Sequence, residues 1–410
     1  MKVLQINVVY KYGSTGKIVA AIHNYLLSSG DDSIVLYGRG YNCKELFTYK
    51  ICKEVYAKFN NLLSRFSGIE YGGCYYTTNK IEKIIEKEKP TIVHLHCLNG
   101  YFVNIYKLLN WLKENRIKTV LTLHAEFMYT GGCDHAMDCY QWRREERCRN
   151  CKSWREFTKS IFINRVPKMW KDLHNAYEGF ENDLYVTSVS PWLKERAESS
   201  DLLKTFRHYL VMNGIDTSIF YNHQNSSILQ SNKFKNKKIL LHVTPEFSKE
   251  KTHLKGGYYI LEIAKKLEKN APNVIVIVVG PVLGSCNTGD YKNIVFWGKE
   301  KNQVTLAQLY SVAALTLLTS KRETFSLVTA ESLCCGTPVV GFKAGAPEKI
   351  ALPGHSCFVD YGDVEELTKK IIEFLERGKS GEIEKLAKAA YSMDSMVRQY
   401  YEIYNEALSK

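Results

Sequence analysis

The sequence predicts an α/β protein made of two doubly wound domains. At 410 residues the chain is longer than one ordinary hydrophobic core accommodates. Short apolar runs alternate with segments of helical spacing through both halves, which is the pattern of parallel sheets covered by helices. The polar segment 222–237 has no apolar periodicity and separates the halves. We therefore expect ligands beyond the carboxyl ends of the strands, in a cleft that the two domains face.

Apolar periodicity predicts the individual elements. In the first half, helical spacing over 16–28, 81–87 and 106–114 indicates helices between strands. The strands are expected at 2–9, 33–38, 91–96, 119–124, 185–190 and 211–213. In the second half the strands are expected at 238–243, 274–279, 294–296, 315–318 and 338–341.

These elements predict the domain boundaries. We expect an N-terminal domain over 1–210, interrupted by a cysteine-rich insertion at 130–152, and a C-terminal domain over 211–390. A C-terminal helix over 391–410 is expected to pack back on the N-terminal domain.

Composition and charge narrow the class of protein. A hydrophobic share of 45% and a charged share of 24% are those of a soluble globular chain. No apolar run reaches the roughly 18 residues of a membrane-spanning helix, since the longest candidate, 304–319, is interrupted by Gln308. The first residues form a strand pattern, so we expect a cytoplasmic protein. The net charge is +13, and residues 143–171 hold ten basic against three acidic side chains. Such a patch suits an anionic membrane, a phosphate-bearing acceptor or nucleic acid, and a solvated face is the alternative.

The most informative segment carries two glutamates, Glu323 and Glu331, eight positions apart. An apolar strand precedes the pair, an apolar helical run contains the second glutamate, and a Gly-Thr-Pro turn at 336–338 leads into another strand. A carboxylate at each end of a strand-to-helix junction can hold two ends of a sugar nucleotide. Two surface carboxylates on an ordinary helix are the alternative.

This segment, with the turn that follows it, resembles that of GT-B-fold retaining glycosyltransferases of family 4, the group that builds capsule and exopolysaccharide chains. The resemblance covers nearly the whole chain, and it implies that the N-terminal domain binds the acceptor and the C-terminal domain binds the sugar nucleotide. It implies that Glu323 lies at the transferred sugar and that Glu331 holds the nucleotide ribose. Backbone amides at the helix start, where unpaired N–H groups favour an anion, would face the sugar and pyrophosphate. We assign this role to Phe325, Ser326 and Leu327.

Lysines after the first strand of the second domain are candidates for the diphosphate. The family has a basic pair there, and a lysine can stabilise the leaving nucleoside diphosphate. Lys255 is the main candidate, and Lys249 is the candidate for the second cation, with Lys251 as its competitor. The loop is longer than in the family and lacks the usual Gly-Arg-Leu, so solvated lysines are the alternative.

A glycine-containing loop follows the first strand. Residues 13–17 resemble a P-loop fragment, but Lys11 and Ile18 stand where a P-loop needs glycine and Ser or Thr. A glycine at a helix start still permits close approach of the backbone to a phosphate or sugar. Gly16 is the residue that the resemblance places at the cleft, and a plain strand-to-helix turn is the alternative.

Histidines end two neighbouring strands of the first domain. His94 and His96 end one strand and His124 ends the next. The carboxyl ends of parallel strands face the ligand site, and a neutral imidazole there can orient a sugar or an acceptor. His124 matches the family's histidine near the sugar hydroxyls. Buried structural histidines are the alternative.

A cluster of cysteines lies in the insertion. Four thiols stand within 19 positions, and the last two have the spacing of a zinc knuckle. The segment resembles an insertion in the colanic-acid-type subgroup of the family. A four-thiolate site would be structural, and reduced free thiols are the alternative. The predicted zinc ligands are Cys133, Cys139, Cys148 and Cys151.

The resemblance also implies the reaction and its partners. The donor would be a UDP- or GDP-linked sugar and the acceptor a growing glycan or a polyprenyl-diphosphate-linked molecule. The chain has no Asp-x-Asp pair, so no catalytic metal is expected. We expect the acceptor to bring the protein to the inner face of an anionic membrane, at a basic surface accompanied by three tryptophans. That surface comprises Arg143, Arg144, Arg147, Arg149, Lys152 and Arg155 with Trp142, Trp154 and Trp170.

Two other hypotheses compete with this interpretation. A zinc-knuckle nucleic-acid-binding protein would use the cysteines and the basic run, but it leaves both α/β domains unexplained, so no nucleic-acid partner is expected. A catalytically silent relative would bind the sugar nucleotide without transfer, and the intact pair of glutamates argues against it.

Overall fold

The computed structural model describes residues 1–143, 148–223, 234, 236–284 and 291–410. The chain divides into two compact units. The first comprises Met1–Met212 and Val397–Lys410, and the second comprises Asn213–Met396. The sequence placed these divisions at 210/211 and 390/391. The interdomain segment expected at 222–237 lies largely outside the described residues.

Within the described residues, the first unit is built on a parallel sheet of seven strands in the order β3-β2-β1-β4-β5-β6-β7. The strands are β1 Lys2–Asn7, β2 Asp32–Tyr37, β3 Thr48–Lys50, β4 Ile92–Leu95, β5 Thr119–Leu123, β6 Leu184–Ser188 and β7 Arg207–Leu210. The chain runs outward from β1 to β3 and then returns to the other side of β1 with β4. This reversal creates a switch point at the carboxyl ends of β1 and β4.

Helices connect these strands. Asn104 and Ser190 begin two of them by accepting a hydrogen bond from an N–H group of the first turn. The helices are α1 Gly13–Ser28, α2 Glu54–Ser67, α3 Tyr75–Glu88, α4 Ile105–Glu114, α5 Trp154–Thr158, α6 Val166–Tyr177 and α7 Pro191–Glu198, with 3₁₀ turns at Phe127–Tyr129 and Gln141–Arg143.

The second unit has a parallel sheet of six strands among its described residues, in the order β10-β9-β8-β11-β12-β13. The strands are β8 Lys238–Val243, β9 Val274–Val279, β10 Ile294–Gly298, β11 Leu315–Leu318, β12 Val339–Phe342 and β13 Ser356–Val359. The helices are α8 Gly257–Asn270, α9 Gln303–Val312, α10 Leu327–Cys334, α11 Pro347–Ile350, α12 Val364–Arg377, α13 Ile383–Tyr391 and α14 Met393–Ser409, which enters the first unit at Val397. A second switch point lies at the carboxyl ends of β8 and β11.

Two doubly wound parallel sheets confirm the predicted fold class. The core of the second unit shows why the periodicity was informative, since strand residues such as Leu240, Val276 and Leu317 pack against Ile260 and Leu367 on the helices. Three strands of this unit, β8, β9 and β11, have the bounds expected from the sequence.

Some elements differ from the expectation. Residues 211–213 are not a strand, and the last strand of the first sheet is β7, whose two end residues are exposed and whose two middle residues are half-buried. Two edge strands, β3 and β13, were not expected because each is short and carries few buried side chains. The helix α2 was also missed, because its large apolar residues do not face the core.

Candidate functional site

A lysine and a glutamate meet at the switch point of the second unit. Lys255 follows β8 along the chain and Glu323 follows β11, so both lie beyond the carboxyl ends of neighbouring strands. Lys255 Nζ donates a hydrogen bond of 2.7 Å to Glu323 Oε1. Their side chains are 29% and 17% exposed, so both charges remain accessible to a ligand. The structure therefore brings two of the predicted residues into direct contact.

The backbone of Glu323 is held on both sides. Its N–H donates to Ala344 O at 2.9 Å, and its carbonyl accepts from Ala346 N at 3.2 Å. Glu348 in turn accepts hydrogen bonds from the N–H groups of Ala344 and Gly345. These contacts hold the loop after β11 against the loop after β12, so Glu323 has a defined position.

Lys255 is positioned by the glycine that follows it. Gly256 has φ 66°, and a Cβ at this position would lie 2.0 Å from the carbonyl oxygen of Thr319. The hydroxyl of Thr319 donates to the carbonyl oxygens of Lys255 at 3.3 Å and Gly256 at 3.0 Å. Only glycine allows this close approach, which ties the lysine loop to the end of β11.

The start of α10 is strained. Ser326 precedes the helix with φ 78° and ψ 84°, a backbone conformation that residues other than glycine rarely adopt. Its hydroxyl accepts a hydrogen bond from Thr329 N at 3.3 Å and contacts Thr329 Oγ1 at 2.9 Å. Phe325 is buried and Leu327 is half-buried. The serine thus satisfies one amide of the first turn, and the strain is of the kind found at ligand sites.

Glu331 lies on α10 with a half-buried side chain. It accepts a hydrogen bond of 3.1 Å from the hydroxyl of Tyr310. Burial, and then the negative charge of Glu331, raise the pKa of Tyr310 well above its usual value. The tyrosine is therefore a permanent donor that orients this carboxylate.

The second predicted cation and an unexpected histidine complete this region. Lys249 is exposed on the loop between β8 and α8, and Lys251 lies 5.7 Å from the ring centroid of Tyr258. His242 is buried on β8 and donates from Nδ1 to Leu317 O at 3.1 Å. Its Nε2 has no partner among the residues that the structure describes. The sequence did not predict His242 as a residue of this site, because it is indistinguishable there from any other residue of a buried strand.

Burial keeps His242 neutral. Desolvation lowers its pKa to about 4, more than the hydrogen bond to Leu317 raises it, and the positive charge of Lys255 lowers it further. The neutral imidazole of His242 is therefore close enough to Lys255 to be affected by its charge.

In the first unit, Gly16 lies in α1 and is buried. A Cβ there would approach Lys11 N at 3.2 Å and Val9 Cγ2 at 3.2 Å, and Lys11 N donates to Gly16 O at 3.0 Å. The glycine thus lets α1 pack tightly on the loop that follows β1. This packing explains the residue without a ligand, and its role at a phosphate or sugar stays a prediction.

The three histidines lie together at the carboxyl ends of β4 and β5. His94 contacts Tyr404 of α14 through Nδ1 at 2.6 Å and Thr122 through Nε2 at 2.7 Å. His96 Nε2 lies 3.2 Å from Gln5 Oε1, and His96 Nδ1 lies 3.4 Å from His124 Nε2. Burial lowers the pKa of all three, to about 4 for His124, so they are neutral near pH 7.

These contacts define the tautomers of two histidines. The amide nitrogen of Gln5 donates to Val19 O at 3.3 Å, so the amide oxygen faces His96. His96 Nε2 must then donate, which leaves Nδ1 as an acceptor for the N–H of His124 Nε2. The network assigns the N–H of His124 to Nε2 and its lone pair to Nδ1.

The four cysteines of the insertion form no disulfide. Cys133 and Cys148 are buried, Cys151 is half-buried and Cys139 is exposed. Burial raises the pKa of Cys133, and the neighbouring charges of Cys151, Cys148 and Cys139 raise it further, so the thiols share one neighbourhood. Within the described ranges, no three His, Cys, Asp or Glu side chains are arranged as ligands of one ion. Zinc binding stays a prediction.

A buried ion pair fastens the insertion to α7. Glu126 is fully buried and accepts hydrogen bonds from Arg196 Nε at 2.6 Å, Tyr129 Oη at 2.9 Å and Ala136 N at 2.8 Å. The guanidinium of Arg196 lies 4.7 Å from the ring centroid of Trp142. The insertion is thus anchored by a buried carboxylate that accepts three hydrogen bonds.

Two of the three tryptophans expected on the basic surface are buried, whereas Trp154 is half-buried, with the guanidinium of Arg155 4.9 Å from its ring centroid. Trp142 and Trp170 are buried, and Trp142 donates from Nε1 to Cys139 O at 2.8 Å. Both rings therefore belong to the packing of the first unit. Arg144 and Arg147 lie outside the described residues, and no helix among those described is long and apolar enough to span a bilayer.

Comparison with known proteins agrees with this geometry. Residues 224–393 match the family model described as Glycosyl transferases group 1. The chain is 22% identical to the N-acetyl-alpha-D-glucosaminyl L-malate synthase of Bacillus anthracis, covering 80% of this chain and 78% of that protein. It is 20% identical to WcaC, the proposed colanic acid biosynthesis glycosyl transferase of Escherichia coli K12, over 98% of this chain and 99% of WcaC.

Solved structures share the fold along the whole chain. A glycosyltransferase from Rickettsia africae has a TM-score of 0.66 at 17% identity and covers 99% of this chain and 98% of its own. Anabaena HepE in complex with UDP has a TM-score of 0.64 at 15% identity, over 99% and 100% of the two chains.

The two parallel-sheet units thus share the GT-B fold with solved glycosyltransferases, and residues 224–393 are similar to glycosyl transferases of group 1. The segment that carries the family match contains Lys255, Glu323 and Glu331.

Proposed function

We propose that this protein is a retaining glycosyltransferase that moves a sugar from a nucleoside-diphosphate sugar to a growing glycan or a polyprenyl-diphosphate-linked acceptor. The observation that carries the proposal is the contact between Lys255 and Glu323 at the switch point of the second unit. A cation and a carboxylate side by side suit a ligand that offers an anionic diphosphate next to a sugar rich in hydroxyl groups.

Each group has a proposed role toward the donor. Lys255 binds the diphosphate and stabilises the charge that develops as it leaves. Glu323 accepts hydrogen bonds from the sugar, and Glu331, held by Tyr310, accepts them from the ribose. The remaining amides at the start of α10 face the phosphates. HepE, which shares the fold, has been solved with UDP and with UDP-glucose, which supports a nucleotide-sugar donor.

The proposed transfer proceeds on one face of the sugar. The bond between the anomeric carbon and the diphosphate oxygen breaks, and the acceptor oxygen bonds to the same face of that carbon. The proton of the acceptor hydroxyl passes to the leaving diphosphate. We propose that Gly16 and His124 of the first unit contact the sugar or the acceptor. With no Asp-x-Asp pair in the sequence, Lys255 and the helix amides take the role of a cation.

We also propose that Cys133, Cys139, Cys148 and Cys151 hold a structural zinc ion. Four thiols in one neighbourhood fit the preferred donor set of zinc, which would stabilise the insertion and leave no open position for catalysis. Elemental analysis of protein purified without chelator should show one zinc per chain. Replacing Cys148 and Cys151 by serine should abolish it, while replacing the distant Cys357 should not. A metal-free wild-type protein would refute this site.

The proposed reaction is tested with Glu323→Gln. This variant keeps the size of the side chain and removes its charge. We expect thermal stabilisation by the correct donor, from a panel of UDP- and GDP-sugars, to persist while transfer falls by about 100-fold or more. Full transfer by the variant would refute the role of Glu323. Donor binding by the wild type without transfer to any lipid-linked or glycan acceptor would indicate a silent relative.

A further inference from the structure

The helix α2 exposes its apolar face to solvent. It buries Ala57, Asn60 and Ser64, which are small or polar, and directs its large apolar side chains to solvent. These outward residues are between 46% and 79% exposed. They are Val55, Phe59, Leu62, Leu63 and Phe66. An amphipathic helix in a protein that meets only water has the opposite orientation.

The exposed residues form one stripe. Their spacing of i, i+4, i+7, i+8 and i+11 places them on a single face of the helix. Single apolar residues on a surface are ordinary, but a contiguous patch marks an interaction site. The stripe is therefore a surface that something covers.

A neighbouring segment enlarges the stripe. Ile161 N donates to Arg65 O at 2.9 Å, which attaches the loop after α5 to the end of α2. Phe162 is 68% exposed, and its ring centroid lies 6.3 Å from that of Phe66. Ile161 and Ile163 are exposed as well. We call this stripe with residues 161–163 the apolar surface.

Positive charges border the apolar surface. Lys58 and Arg65 are exposed on α2, and Lys159 and Arg165 are exposed at the two ends of the neighbouring loop. The acid on the helix, Glu54, forms an ion pair with Arg39 at 2.7 Å. Apolar side chains with a cationic border are the combination that binds anionic lipid headgroups and the first part of their acyl chains.

The apolar surface also continues into a cavity. A cavity of about 360 Å³ opens at the end of α2, and its walls include Leu63, Phe66, Ile69 and Tyr71. Two of these residues belong to the stripe itself. The surface therefore offers depth for an acyl chain and not only a flat contact.

We propose that the apolar surface docks the first unit on an anionic bilayer. The helix α2 would lie in the plane of the interface, with its stripe among the acyl chains and Lys58 and Arg65 at the phosphates. The membrane contact would then lie on α2 and residues 161–163, and not on the basic run, where Trp142 and Trp170 are buried. That this docking brings the enzyme to a lipid-linked acceptor rests on the proposed function, but the docking itself can be tested without transfer.

Vesicle flotation with the full chain tests the docking. Vesicles of phosphatidylglycerol with phosphatidylcholine should bind the wild type, high salt should weaken binding, and vesicles of phosphatidylcholine alone should bind less. The double variant Phe59→Ser/Leu62→Ser should reduce binding by about tenfold or more. The matched control Val304→Ser/Leu386→Ser removes two apolar residues that are 44% and 43% exposed in the second unit, and it should bind like the wild type.

A charge variant separates the two contributions. Lys58→Glu/Arg65→Glu should lose most binding to anionic vesicles, whereas Lys269→Glu/Lys385→Glu, with the same change of charge in the second unit, should lose much less. A wild type that does not float, or a Phe59→Ser/Leu62→Ser variant that floats equally well, would overturn the proposal. A third outcome would also overturn it: the wild type is a dimer, and Phe59→Ser/Leu62→Ser converts it to a monomer without changing flotation. The apolar surface would then be covered by a second copy of the chain.

A nucleotide-sugar binding assay distinguishes a failure of the docking proposal from a failure of the proposed function. All four surface variants should be stabilised by the donor as the wild type is, which also shows that they fold. Absence of donor binding in the wild type would count against the proposed transfer but not against docking.

Discussion

Lys255 and Glu323 are 68 positions apart in the chain, and their side chains are joined by a hydrogen bond of 2.7 Å beyond the ends of β8 and β11. The contact neutralises each charge in the absence of a ligand. When the donor places its diphosphate beside Lys255, the diphosphate replaces the carboxylate of Glu323 as the anionic partner of the lysine. The charge of Lys255 therefore stays paired when the ligand excludes water from it.

The first prediction concerns this lysine. Replacing Lys255 with alanine should lower kcat for transfer by about 100- to 1,000-fold, because a stabilising charge at the leaving group is lost and Glu323 is left unpaired. The control Lys269→Ala removes an exposed lysine in the last turn of α8, which is not a candidate for binding the diphosphate. Steady-state kinetics with the donor found by thermal shift would measure both. Near-normal kcat for Lys255→Ala would rule out the assigned role.

The second prediction concerns the tautomer of His124. Imidazole ¹⁵N chemical shifts should show a protonated Nε2 and an unprotonated Nδ1 near pH 7. His96→Asn keeps an acceptor close to the position of Nδ1 and should preserve this tautomer, whereas His96→Leu should mix the two. If His124 contacts the acceptor, His96→Leu should raise the KM of the acceptor and His96→Asn should largely restore it.

A protonated Nδ1 of His124 in the wild type would contradict the assignment. The readout is spectroscopic, so a general loss of stability in His96→Leu cannot imitate it.

The third prediction concerns pH and His242. Its folded pKa of about 4 lies below the usual value of about 6.5, so the unfolded chain binds the proton more readily. The stabilisation is complete above pH 6.5 and is lost as the pH falls toward 4. A shift of this size corresponds to about 3 kcal/mol for a buried group.

His242→Asn tests this linkage, because asparagine can still donate to Leu317 O without titrating. Urea unfolding, followed with a probe in the second unit, should show a smaller loss of stability between pH 6.5 and 4 than the wild type. Equal losses in both proteins would assign the pH dependence to other groups.

The fourth prediction concerns the buried pair of Glu126 and Arg196. Glu126→Ala should destabilise the first unit by about 3–5 kcal/mol, because it leaves a buried guanidinium without its carboxylate. The pair Lys194–Glu198 on α7 is far more exposed, and Glu198→Ala should cost at most about 1 kcal/mol. Urea denaturation would compare the two, and similar small losses would contradict the anchoring role of Glu126.

Much of the fold was predictable because its signals are local. The strands β8, β9 and β11 consist mainly of apolar residues, and such runs indicate burial on both faces of a parallel sheet. The edge strand β7 was misplaced because its side chains are only partly buried, so the sequence carries no comparable run. The helix α2 was missed for a related reason: its apolar stripe faces solvent and its small residues face the core.

The candidate site was predictable only in part. The spacing of Glu323 and Glu331 is local, and it placed both at one strand-to-helix junction. The contributions of Tyr310 and His242 were not visible, because their partners lie on other elements and a buried strand histidine has no signature of its own.

The sequence by itself determined the class of fold, the positions of most strands and the segment that carries the sugar-nucleotide motif, since each depends on residues within a few positions of one another. Only the tertiary structure decided that Lys255 meets Glu323, that His96 sets the tautomer of His124, and that Trp142 is buried while Phe59 is exposed. These are relationships between distant segments, and burial is a property of what packs against a residue. For that reason the sequence of α2 does not indicate a membrane-docking surface, whereas the outward direction of its apolar residues does.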